Sequence, residues 1–450
     1  MAETSEVAGR AGADLAGLAA EAFIYGYPLV ADLQAVDGFT RQGMAIVAPA
    51  PLNQFSHATR LAGPEDRFVS INNDTVYSIA NVDTGGGPVR FDVPDADGRY
   101  YVMQFVDAWT NNFAYVGRRA TGTAAGSFLL VPPDWAGHPV DGMRTIRFPT
   151  AVATIVGRWA VGGDADLPAV RGLQRGLALT PTGPGAGLPA PDQAVPEELR
   201  FYEQLRIWMR VFPPAGRDLD YQQRFEPLGL LAAESPYRDP DSALAAALRD
   251  GLAAGREQLE EVLKHGPVAQ QNGWSLTYHG FDYNLDFFEV GALDDAGWML
   301  PDGPERYLAR AAAARGGLWG NHGYEAAYAM VYVDSDGRAL DGERRYTLRF
   351  AAPPPCRAFW SVTMYDTPDF YLVDNPIGRY SIGDRTPGLH RAEDGSLTIV
   401  MQRDEPSDPD DRANWLPTPP GTFRPILRMY EPDDAVFDGS YVLPPITRAG

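Results

Sequence analysis

Hydrophobic positions change period along the chain, and each change predicts a different element. Between residues 12 and 37, Leu15, Leu18, Ala22 and Tyr25 recur three and four apart, the one-sided stripe of a helix. Gly26 and Pro28 interrupt the stripe and predict a kink or a fresh start there. From about residue 45 to 190 the period becomes that of strands. Tyr101, Met103 and Phe105 alternate with Tyr100, Val102 and Gln104; both sets are largely apolar, so this strand is expected to be covered on both faces. Further short runs at 127–131, 145–148 and 153–156 are separated by turns, the spacing of a sandwich or barrel.

Residues 180–191 are rich in Pro and Gly and predict a linker. Helical spacing follows at Leu199, Tyr202, Leu205, Met209 and Phe212, again from 241 to 263, and in a shorter piece at 307–315. Strand patterns return at 327–333, 345–350, 359–366 and 397–402. The expected organisation is an N-terminal helical segment (1–40), a first β module (41–190), a helical connector (191–325) and a second β module (326–450). A faint echo links the β modules: residues 99–107 and 357–366 each run from an arginine through an apolar strand to an aspartate. Duplication of one module accounts for it, and so does ordinary strand grammar.

Composition narrows the partners. The chain has 450 residues, of which 45% are hydrophobic, enough for packed cores. Its net charge of −21 repels phosphate backbones and anionic lipid surfaces, so neither nucleic acid nor membrane is an expected partner. No apolar window is long enough for a membrane helix, and the N-terminus lacks the basic start and apolar run of a leader, so a cytoplasmic protein is expected. A homo-oligomer is compatible with all of this. Cys356 is the single cysteine, which rules out an intrachain disulfide.

Polar residues gather where strands begin and end. Asn72, Asn73, Asp74 and Tyr77 open one strand; Asp107, Trp109, Asn111 and Asn112 close another. These motifs, with 21–30 before them, resemble the first of two paired domain families of unknown function, numbered 1254. Residues 359–366, 372–375, 414–417 and 423–430 resemble the second, numbered 1214. The resemblance covers nearly the whole chain. It implies a mainly β fold: two jelly-roll-like β-sandwich modules with an N-terminal helix and a central helical segment. It implies no reaction.

The residues themselves suggest three functions. In the first, Asp74 or Asp107 acts as a carboxylate acid or base for hydrolysis or elimination on a small polar or glycosylated molecule. Asn72, Asn73, Asn111 and Asn112 would stabilise developing charge, with Trp109 walling the pocket. Arg158 and Arg424 are candidate anion clamps, and Tyr365, Asp366 and Trp415 are further candidate contacts from the second module. The alternative role for each aspartate is capping its own turn. In the second function the same rim binds a carbohydrate or small molecule without turnover. In the third, His57 and acids hold a metal, although the six histidines show no metal-ligand spacing. No cofactor signature is present.

Overall fold

A computed structural model describes residues 2–449, with side chains from Leu15 onward. Helix α1 (Ala2–Gln42) continues past Pro28 as one element, so no new helix starts there. A Cβ on Gly26 would lie 2.4 Å from Leu205, so the glycine admits helix α2 (Arg200–Val211) at close range. Helices α3 (Ser242–His265) and α4 (Pro304–Gly317) complete the layer. Its core joins Leu29, Leu33, Leu205, Leu248 and Tyr307. Among the described residues, no helix is long and apolar enough to cross a membrane.

Among the described residues the remainder is mainly β, in four sheets. The strands in chain order are β1 (Ser56–His57), β2 (Thr75–Asp83), β3 (Val89–Val93), β4 (Tyr101–Asp107), β5 (Asn112–Gly117), β6 (Gly126–Val131), β7 (Arg144–Arg147), β8 (Val152–Ala160) and β9 (Ala178–Pro181). After the helical segment come β10 (Ala269–Gln271), β11 (Trp274–Leu276), β12 (Ala326–Val331), β13 (Tyr346–Phe350), β14 (Cys356–Asp366), β15 (Ser381–Gly383), β16 (Leu397–Gln402), β17 (Trp415–Pro417), β18 (Phe423–Pro432) and β19 (Ile446–Arg448). The first module pairs a sheet of order β1-β2-β8-β4-β5 with one of order β7-β6-β3-β9; the second pairs β10-β11-β12-β18-β14-β15 with β17-β16-β13-β19. Within each module the two sheets share one core, built on Phe91, Phe105 and Trp159 in the first and on Leu348, Trp360 and Leu427 in the second. The hairpin of β10 and β11 joins the second module's large sheet, so that module reaches back to Ala269, into the stretch expected to be helical.

The two modules have the same topology. Strands β2 to β9 and β12 to β19 pair in the same order, down to the parallel pairings β6 with β7 and β16 with β17. Strands β4 and β14, which carry the faint sequence echo, occupy the same topological position. Side chains alternate across a strand, so each large sheet has one face in its own core and one face free. The free faces meet. Tyr100, Val102 and Tyr115 from the first module share a cluster with Tyr324, Ala326, Phe359 and Tyr430 from the second.

Candidate functional site

The seam between the large sheets holds the candidate site. Asn72 builds its entrance: its Oδ1 accepts the backbone N–H groups of Asp74 at 2.6 Å and Thr75 at 3.2 Å, the side-chain turn that asparagine makes readily. Its Nδ2 donates to the Tyr430 hydroxyl at 2.6 Å, tying the turn to the second module. The turn projects the Asp74 carboxylate across the seam. Asp74 Oδ2 accepts the Ser361 hydroxyl at 2.6 Å and the Tyr430 hydroxyl at 3.3 Å. Among the described residues Oδ1 has no protein donor, and no Arg, Lys or His lies within 4.0 Å of the carboxylate. Asn73 donates to the Ala62 carbonyl at 2.6 Å and faces the Ser381 hydroxyl at 3.5 Å.

Asn73, Asp74, Ser361, Ser381 and Arg385 line a recess of about 160 Å³. A larger one of about 660 Å³ lies beside it, lined by Arg99, Tyr100, Arg118, Asp166 and Phe359. Gly162 and Arg385 belong to both walls. Arg385 lies over the Phe359 ring, 3.5 Å from its centroid, and donates to the Asp74 carbonyl at 3.2 Å.

Deeper in the seam, Tyr77 and Arg158 are cross-strand partners on β2 and β8, and Tyr328 and Arg428 are partners on β12 and β18. Arg158 donates to Gln104 Oε1 at 2.7 Å, Asn321 Oδ1 at 3.3 Å and the Trp319 carbonyl at 2.8 Å. Arg428 donates to the Thr363 hydroxyl at 3.1 Å and the Ser70 carbonyl at 2.9 Å. Burial pushes the Tyr430 phenol well above the usual tyrosine range, the Asp74 carboxylate adds to the rise, and Arg428 opposes it.

Asp107 lies elsewhere. Thr75, next to Asp74, pairs with Ala160, whereas Asp107 pairs with Ala153 on the same strand β8. Seven residues of strand separate them, roughly 23 Å at the usual rise per residue. A shared cavity for these aspartates, with Trp109 and Asn112 in its wall, is therefore excluded by register. Asp107 caps its own loop: it accepts the N–H groups of Trp109 at 2.9 Å and Asn111 at 2.8 Å, and Asn111 Nδ2 at 2.9 Å. Burial raises its pKa to about 6, against those hydrogen bonds. Trp109 packs on Tyr25 and donates to the Phe212 carbonyl at 2.9 Å; Asn112 donates to the Gly320 carbonyl at 2.9 Å.

The other candidates also separate. His57 Nδ1 lies 2.8 Å from the Ser78 hydroxyl, which also accepts Trp159 Nε1 at 3.0 Å; this is the core side of the first module, and burial lowers the imidazole pKa. Among the described residues no three His, Cys, Asp or Glu side chains converge as a metal site, so the ligand set imagined around His57 does not form. Tyr365 donates to the Ile71 carbonyl at 2.6 Å and Asp366 accepts the Tyr371 N–H at 2.6 Å, bracing and capping roles. Trp415 is buried and donates to the Gln402 carbonyl at 2.8 Å, inside the second module. Burial pushes the Cys356 thiol up to about 12, which suppresses the thiolate.

Sequence reading missed Ser361, Arg385, Arg428 and Tyr430. A signal for one of them exists: Arg428, paired with Tyr328, holds in the second module the position that Arg158, paired with Tyr77, holds in the first.

This architecture, two β modules of one topology joined through a helical segment, defines the class of protein. Residues 52–181 match the family model described as protein of unknown function DUF1254, and residues 325–434 match that described as protein of unknown function DUF1214. The chain belongs to the proteins that carry these two domains in this order, N-terminal and C-terminal respectively. Among solved structures it is similar to the VPA0106 protein from Vibrio parahaemolyticus, with 25% identity and a TM-score of 0.72 over 97% of this chain and 100% of that one. A putative uncharacterized protein from Burkholderia cenocepacia aligns at 12% identity and a TM-score of 0.45, over 100% of this chain and 96% of that one. No curated protein matches the chain.

Proposed function

We propose that the protein is an enzyme that uses Asp74 as an acid or base on a small polar organic molecule held in the seam, for a hydrolysis or an elimination. One observation carries this reading: a buried carboxylate in the wall of a recess, bonded to two hydroxyls and to no cation among the described residues. A carboxylate in an ion pair is occupied with structure, whereas one held only by Ser361 and Tyr430 has a free oxygen and two neighbouring hydroxyls for passing a proton. Arg385 would orient an anionic group of the substrate. The finer fold belongs to the same proposal: each sheet pair is a jelly-roll-like β-sandwich, as the shared cores support.

A second reading, binding without turnover, is favoured by the larger recess. It adjoins Asp74 without including it, and two of its arginines are already paired, Arg99 with Asp166 at 2.6 Å and Arg118 with Glu431 at 2.6 Å.

The test is a panel of small organic acids, amides and glycosides, read by thermal shift and by product formation. For a compound that the wild type converts, Asp74→Asn is expected to lower turnover by about 10²–10⁴-fold while keeping the thermal shift. Unchanged turnover in that variant removes Asp74 from the chemistry. A compound that shifts melting and yields no product favours the second reading.

A further inference from the structure

We infer that the two Tyr–Arg pairs of the seam, Tyr77 with Arg158 and Tyr328 with Arg428, form a binding site for a small carboxylate anion between the two large sheets. The inference does not rest on any role for Asp74 in catalysis.

The cations come first. Arg158 and Arg428 are both almost fully buried. Of the other buried arginines, Arg206 pairs with Glu203 at 2.8 Å, Arg306 with Asp218 at 2.5 Å and Arg310 with Asp218 at 3.9 Å; Arg424, beside Arg428 at the Tyr365 ring, has no carboxylate within 4.0 Å among the described residues and bonds the hydroxyls of Tyr332 and Ser70. Arg158 and Arg428 spend their hydrogen bonds on amides, carbonyls and a hydroxyl instead. Among the described residues neither has a carboxylate within 4.0 Å. A buried guanidinium without a counter-charge is costly, and a bound anion offsets that cost.

The space comes second. Tyr328 packs against the seam cluster of Tyr100, Phe359 and Tyr430 yet keeps accessible surface, as a side chain on the wall of a hollow does. Tyr77 also keeps accessible surface, beneath Arg158 at 5.6 Å from its ring centroid. The Tyr328 phenol feels the charge of both guanidiniums and of Tyr77, and Arg158 lies over the Tyr77 ring, which groups the four side chains in one region of the seam. Asn321 joins the same neighbourhood: its Oδ1 accepts from Arg158, and its Nδ2, which meets no acceptor at hydrogen-bond geometry among the described residues, lies beside the Tyr328 phenol.

The ligand class follows from charge and shape. Arg158 and Arg428 bring two positive charges and Arg424 stands beside Arg428 at the Tyr365 ring, while the Asp74 carboxylate acts on Arg428, so the local balance is positive. That suits a small anion, and planar donor forks with flanking phenols suit a carboxylate.

The test uses the whole protein at low ionic strength in carboxylate-free buffer, with sodium acetate, acetamide, sodium chloride and sodium phosphate as probes. Acetate is expected to raise the melting temperature; acetamide and chloride at equal concentration are not. Tyr328→Phe, which keeps the ring, should weaken acetate binding about tenfold, the loss of one hydrogen bond to a charged group. Asp74→Asn should tighten it by removing a neighbouring negative charge. Equal shifts from acetate, acetamide and chloride overturn the proposal, and so does tighter binding of phosphate than of acetate. Loss of turnover in Asp74→Asn with no carboxylate effect anywhere overturns the anion site and leaves the acid/base reading standing. Unchanged turnover with the expected acetate pattern does the reverse.

Discussion

Asp74 and Glu325 occupy matching places in the two modules and have opposite surroundings. Each lies three residues before the strand tyrosine that pairs with a buried arginine, Tyr77 with Arg158 in one module and Tyr328 with Arg428 in the other. Each crosses the seam to the opposite module. Glu325 meets Arg119 at 2.5 Å and the Tyr100 hydroxyl at 3.1 Å, a neutralised pair that locks the sheets together. Among the described residues the Asp74 carboxylate meets only the hydroxyls of Ser361 and Tyr430, at the wall of a recess. The same topological position thus holds an ion pair in one half and a carboxylate bonded to hydroxyls in the other. Position on the fold does not assign the role; the partner does.

The sharpest way to break that comparison is Glu325→Gln. It leaves the Arg119 guanidinium buried without its counter-charge, and removing one member of a buried pair costs about 3–5 kcal/mol. Denaturant unfolding should show that loss, and a loss under about 1 kcal/mol would mean that Glu325 is no lock. Next comes pH. Burial lifts Asp107 from 3.8 to about 6, so the fold favours its neutral form. Its contribution to stability is present below pH 4 and is lost as pH rises through about 6. That amounts to up to about 3 kcal/mol between pH 4 and 7. Comparison of unfolding in wild type and Asp107→Asn should show this slope only in the wild type; parallel slopes would contradict it.

Trp415→Phe should cost about 1–2 kcal/mol through the lost hydrogen bond to Gln402 and the space left behind, with no change in any ligand response. A changed response would return Trp415 to the site. The smallest effect is expected for the stability of Asp74→Asn. The amide oxygen still accepts from Ser361 and Tyr430, so unfolding free energy should move by about 1 kcal/mol or less. Large destabilisation would make Asp74 a second lock.

The strand pattern, the central helices and the resemblance of both domains were legible from the sequence, because period and turn residues act locally. The polar strand ends were legible as well. Their grouping was not, since register decides it: Asp74 and Asp107 look alike in sequence and stand at opposite ends of β8. The role of Gly26 was not legible either, since it admits Leu205 at close range, a contact between segments far apart in the chain. Ser361 and Arg385 carry no local signature; they matter through what crosses the seam from the other module.

The most direct test of the seam as the working site is a crystal of the wild type soaked with a mixture of small organic acids. The account expects ligand density in the recesses bounded by Asp74, Ser361 and Arg385 or in the hollow between Arg158 and Arg428. Density found only at the Asp107 end of β8, with the seam empty, would contradict it.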